Sequence, residues 1–144
     1  MERILVFLFV CLAMVATSFW ESHVEGPNTW DKKKYGWKLK LGKYSLPAYH
    51  FWLWIVTFPI LIVLLPQVIV GFSWKFTAFL SGTYMFGSVL EDFIYYVVNP
   101  FFGLKKWNRR IVTYFPWFKV GRVCVPTNYI FGILFSALLI WLSL

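Results

Sequence analysis

Long apolar runs at 4–20, 50–70, 76–98 and 128–144 alternate along the chain with polar, basic stretches at 21–49 and 99–127. Each run approaches the ~17–25 residues a helix needs to cross the hydrocarbon of a bilayer. The pattern predicts an all-α, polytopic membrane protein: a four-helix transmembrane bundle forming a single domain over 1–144. The third and fourth spans are joined by an aromatic, amphipathic interfacial segment. The second and third spans meet in a short turn at 66–75, and no internal repeat is evident.

Local signals refine the elements. Gly26-Pro27 should end the polar stretch after the first span as a turn. The alternation Trp37-Lys38-Leu39-Lys40-Leu41 fits a short interfacial hairpin and a surface helix equally well. Pro47 suits the opening turn of the second span, and Pro59 inside it predicts a kink. Asn99-Pro100 should end the third span, because proline disfavours helix in the residue before it. The first run also resembles a signal peptide. Its charged flank is only Glu2 and Arg3, however, and Met14 stands where a cleavage site wants a small residue, so a retained span is expected.

Composition agrees with this reading. Of 144 residues, 60% are apolar and 23% aromatic, while only 14% are charged, against about 25% in an ordinary soluble domain. Six of the fourteen Lys and Arg lie between the first two spans (Lys32, Lys33, Lys34, Lys38, Lys40, Lys43) and six between the last two (Lys105, Lys106, Arg109, Arg110, Lys119, Arg122). Short loops rich in Lys and Arg stay in the cytoplasm, so both loops are expected there and both chain ends outside, in an integral cell-membrane protein. The net charge of +8 does not imply nucleic acid. The basic residues are interleaved with Trp30, Tyr35, Trp37, Tyr44, Trp107, Tyr114 and Trp117, the pattern of a headgroup interface that meets anionic lipids.

Candidate chemistry centres on Glu91 and Asp92, two carboxylates inside an apolar run. A charge at that depth costs ~2.5–3.5 kcal/mol on insertion scales, which makes it a functional-site hypothesis. Tyr84, Ser88, Glu91 and Tyr95 recur at helical spacing, with Asp92 and Asn99 beside them, so one face carries a polar stripe. Gly82 and Gly87 would let another helix approach that span closely. Glu91 lies ~12 Å before Asn99 by helical rise. The expected orientation brings Glu21, His23, Glu25 and His50 to the same boundary.

Mixed carboxylates and imidazoles are the ligand kit for zinc, iron or manganese. Glu21, His23, His50 and Glu91 are the expected ligands, with Glu25 and Asp92 as catalytic proton carriers. An extended segment would place Glu21, His23 and Glu25 on one face, whereas a helix would turn His23 away. Lys105, Lys106, Arg109 and Arg110 would gather an anionic, amphiphilic substrate. The same residues also fit a network of ion pairs and hydrogen bonds in a non-catalytic subunit of a larger membrane complex, or a proton- or ion-conducting oligomer. Cys11 and Cys124 form no metal or redox pair, two histidines alone do not specify heme, and no nucleotide loop or Gly-x-Ser-x-Gly is present.

Overall fold

The computed structural model describes residues 2–27, 36–41, 44–112, 116–121 and 123–144. The expectations for Trp30, Lys32, Lys33, Lys34, Tyr35, Lys43, Tyr114 and Arg122 lie outside the described residues. The protein is mostly helical. In chain order it forms α1 (Glu2–Glu25), strands β1 (Lys38–Leu41) and β2 (Tyr44–Pro47), α2 (Ala48–Val70), α3 (Trp74–Val98), the single turn α4 (Gly103–Lys106), strands β3 (Trp117–Val120) and β4 (Val123–Pro126), and α5 (Thr127–Leu142). Helices α1 and α2 are long and apolar enough to cross a membrane. Helix α5 is apolar but shorter, and α3 carries the polar stripe. Few residues of α1 and α2 are buried, and side chains such as Leu8, Phe9, Leu12 and Leu61 face outward, as in a bilayer and unlike the core of a soluble domain.

Helix α3 is the central post. Glycines let its neighbours close on it: a Cβ at Gly87 would stand 2.8 Å from Met14 of α1, and one at Gly82 would stand 2.9 Å from the Ser136 carbonyl of α5. Small residues at such crossings allow backbones to approach, and Ser136 Oγ donates to the Gly82 carbonyl at 2.8 Å. Met14 against Gly87, Ser18 donating to the Glu91 carbonyl and Tyr95 donating to Glu25 show that α1 and α3 run in the same direction. Helix α5 runs the other way, from Tyr129 beside Asp92 to Ile140 beside Gly82. At one end of the molecule Arg3 donates to the Ser143 carbonyl and Lys75 to that of Leu144, so the start of α1, the start of α3 and the end of α5 converge. The strands lie at the opposite end.

Helix α1 continues through the polar stretch to Glu25. There Gly26, at φ +55°, takes the left-handed conformation that closes the helix by donating to the Ser22 carbonyl. Helix α2 passes Pro59 on wide turns, with Phe58 N–H bonding to the Leu53 carbonyl and Leu65 N–H to that of Ile60, five residues back. That widening accommodates a ring which has no N–H to donate and would crowd the ordinary four-residue turn. The second half of α2 packs on α3 through Val63 and Phe79, and its first half, Phe51–Thr57, meets α3 at Trp54, whose carbonyl accepts from Tyr84.

Two antiparallel hairpins correct the expectation that the chain lacks a repeat. In β1–β2, Lys38 pairs with Pro47 and Leu41 with Tyr44; in β3–β4, Trp117 pairs with Pro126 and Val120 with Val123. The second strand of each hairpin ends in the proline that caps the next helix. The underlying sequences, Leu-Gly-Lys-Tyr-Ser-Leu-Pro ending at Pro47 and Val-Gly-Arg-Val-Cys-Val-Pro ending at Pro126, share an aliphatic-glycine-basic start and an aliphatic-proline end. The chain is therefore built twice on one plan: helix, hairpin, helix. The segment after α3, expected to lie as an amphipathic stretch in the interface, contains a short helix and the second hairpin.

Candidate metal and carboxylate site

The site assembles where the hairpin ends of α1, α2 and α3 meet. Glu21 and Glu25 stand one turn apart on α1, His50 occupies the first turn of α2, and Glu91 projects from α3. All four are buried. One ligand atom from each of Glu21, Glu25 and His50 can be chosen so that all lie within 4.8 Å of one another. Nitrogen and oxygen atoms ~2.0–2.2 Å from a zinc-sized ion stand roughly 3–4 Å apart. Small side-chain rotations would therefore close these three on one ion.

Hydrogen bonds fix the cluster. His50 Nε2 lies 3.2 Å from Glu21 Oε1. Glu25 accepts from two phenols, Tyr49 on Oε1 and Tyr95 on Oε2, the latter at 2.8 Å. The Glu91 carboxyl faces Glu21. With Glu91 only 3% exposed, its Oε1 has no hydrogen-bond partner among the described residues. A buried acceptor without a donor costs ~1–3 kcal/mol, so this oxygen marks a place where a ligand would be stabilising.

His23 does not join the group. Because α1 is helical there, Glu21 and Glu25 share a face while His23 is exposed on another, its Nδ1 2.6 Å from the Phe19 carbonyl. The extended geometry that would have included it is not adopted. Asp92, one residue beyond Glu91, points elsewhere and accepts from Tyr129 at the start of α5. Along the stripe, Ser88 donates to the Tyr84 carbonyl at 2.9 Å, and Tyr84 donates to the Trp54 carbonyl. Asn99 has a structural task, its amide donating to the Gly26 carbonyl at 3.1 Å and tying the ends of α1 and α3 together.

A cleft of about 250 Å³ opens beside the cluster, between the first half of α2, the middle of α3 and the start of α5. Glu21, His50, Glu91, Asp92 and Tyr129 line it, and Lys105, Lys106, Arg109 and Arg110 do not. Those four side chains are exposed, and Lys106 donates to the Phe101 carbonyl at 2.6 Å.

Tyr49 and Tyr129 are site residues that sequence reasoning passed over. The signal was the duplication: His50 and Tyr129 each stand three residues after the proline that ends a hairpin, and each meets a carboxylate. Compared with protein-family models, with curated proteins and with solved structures, the chain matches none.

Proposed function

We propose that this chain is a four-span membrane protein that holds a zinc, iron or manganese ion through Glu21, Glu25, His50 and Glu91, with its basic hairpin loops on the cytoplasmic side, and acts on a membrane amphiphile. The observation that carries the reading is the convergence of three ligand atoms from two helices beside a buried Glu91 oxygen with no hydrogen-bond partner among the described residues. Three carboxylates with one imidazole suit a borderline or hard transition ion better than a soft one. Such an ion would polarise a substrate oxygen or bind an attacking water, and Asp92 with Tyr129 stands near enough along the same cleft to take part in proton movement.

The test is elemental analysis of detergent-purified chain after chelation and reloading with each metal. About one ion per chain is expected. His50→Gln and Glu91→Gln should weaken retention at least tenfold, while Lys105→Ala should leave it unchanged. A folded chain that retains no transition metal at any loading overturns the reading.

A second reading has its own observation. Both oxygens of Glu25 already accept phenolic hydrogen bonds, which favours carboxylates that knit helices together in an accessory subunit. Co-purification with partner subunits at fixed stoichiometry, without metal, supports that alternative.

A further inference from the structure

The two hairpins repeat more than their strand pairing. Ala48 N–H donates to the Trp37 carbonyl at 2.9 Å, and Thr127 N–H donates to the Pro116 carbonyl at 2.8 Å, the same hydrogen bond at equivalent positions. In β1–β2, Leu39 pairs with Leu46 and Lys40 with Ser45; in β3–β4, Phe118 pairs with Val125 and Lys119 with Cys124. Leu39 and Phe118 are therefore equivalent, as are Lys40 and Lys119. Neighbours along a strand point to opposite faces, so each hairpin is a ribbon with one apolar face and one face bearing lysine. Both positions are exposed in both copies: Leu39 is 44% and Phe118 57% exposed, and Lys40 and Lys119 are exposed as well.

Single exposed apolar side chains need no explanation on a soluble domain. These two stand next to a membrane boundary. Pro47 and Pro126 end the hairpins and cap α2 and α5, so each ribbon lies within about one helical turn, ~5 Å, of a segment read as entering the bilayer. A two-stranded ribbon alone is marginally stable in water, and an apolar cover on its Leu39 or Phe118 face would offset that weakness.

Charge selects the cover. No Asp or Glu occurs from 36 to 47 or from 99 to 127, against nine Lys and Arg. Between the third helix and the second hairpin, Lys105, Arg109 and Arg110 are exposed in the same segment as the exposed Phe101, Leu104 and Ile111. Apolar groups for the acyl boundary interleaved with cations for the headgroups match an anionic leaflet. Each Lys or Arg near such a surface strengthens binding roughly fivefold.

We propose that the hairpins are a matched pair of docking ribbons for the anionic phospholipids of the leaflet that α2 and α5 enter. Leu39 and Phe118 reach the acyl boundary, and Lys38, Lys40 and Lys119 reach headgroup phosphates along their long stems. The inference rests on the reading of the chain as a membrane protein and not on a bound metal. It gives the basic residues a task outside the cleft, whose lining includes none of the described Lys and Arg, in place of the anionic substrate expected from the sequence.

The experiment uses the full chain, with Cys11 and Cys124 replaced by alanine, in vesicles of mixed phosphatidylcholine and phosphatidylglycerol. A fluorophore on Leu39→Cys, Phe118→Cys or Phe72→Cys is quenched by a nitroxide carried high on the acyl chain of one lipid or the other. At low salt the anionic quencher should be at least threefold more effective than the zwitterionic one at 39 and 118. At 72, in the connection between α2 and α3, the two should be equal. High salt should abolish the preference. Lys38→Gln with Lys40→Gln should at least halve the preference at 39 and leave that at 118, and Lys119→Gln should do the reverse.

Equal quenching by the two lipids at 39 and 118, or a preference that ignores the lysine substitutions, overturns the inference. Energy transfer between chains labelled at 118, without quenching by either lipid, also overturns it and makes the ribbons contacts between copies. A chain that alkaline carbonate strips from its vesicles removes the membrane reading together with the inference. Equal quenching of a chain that carbonate leaves in place removes the inference alone.

Discussion

Glu25 is the residue whose surroundings were least visible in advance. Two tyrosines from different elements, Tyr49 before α2 settles into its wide turns and Tyr95 in α3, donate to its two oxygens. In a chain with eight tyrosines, most of them near expected boundaries, interfacial placement explains each one equally well. Only the folded arrangement picks out Tyr49 and Tyr95 as reaching Glu25. Glu91 was legible because the stripe through Tyr84, Ser88 and Tyr95 has helical period. His23 was misplaced because the helix outlasts the apolar run: Glu21, Ser22 and Glu25 are buried against the protein although they are polar. Tyr95→Phe should expose how much the phenol contributes. It removes a donor from a carboxylate buried to 5% exposure, and the cost should be about 1–3 kcal/mol, read as a lowered midpoint of thermal unfolding in detergent. An unchanged midpoint would mean that Glu25 does not depend on this bond.

The helices followed from the length of their apolar runs, whereas the hairpins followed from nothing so direct. Strands of four residues are too short for period-two alternation to stand out, and the duplication is one of chemical type rather than of letters: aliphatic, glycine, basic, then a run ending in aliphatic-proline. Tight packing of the helices is itself testable. A Cβ at Gly132 of α5 would meet Val89 Cγ2 at 2.6 Å, a contact with a branched, stiff side chain that has little freedom to move aside. Gly132→Ala should therefore destabilise the fold by about 1–3 kcal/mol, the usual cost of overpacking. Phe131→Ala, one residue away on an outward-facing position, should change thermal stability far less. Equal effects at both positions would show that α5 does not bear on α3 as described. Since Val89 also lines the cleft, the same pair of variants reports whether the α3–α5 contact supports the site.

At the scale of the molecule, the two ends differ in charge, and that difference specifies how the chain should sit. Of fourteen Lys and Arg, the two outside the 21–49 and 99–127 stretches are Arg3 and Lys75. These two bind the carbonyls of Ser143 and Leu144, so they belong to one end of the bundle together with both described chain ends. The opposite end carries both hairpins, with Lys38, Lys40 and Lys119 exposed on their strands. Twelve positive charges against two is a strong bias toward retaining the hairpin end in the cytoplasm, an orientation that would open the cluster at the cytoplasmic leaflet. Cysteine accessibility decides the matter. In a background with Cys11 and Cys124 replaced by alanine, Lys40→Cys and Lys119→Cys should react with an impermeant maleimide only from the cytoplasmic face of sealed vesicles. Phe72→Cys, in the short connection between α2 and α3 where the side chain is exposed, should react only from the other face. Labelling of Lys40→Cys and Lys119→Cys from opposite faces would contradict the shared end that both hairpins occupy. Labelling of both from outside would keep the bundle but invert it, and the cluster would then open at the outer leaflet.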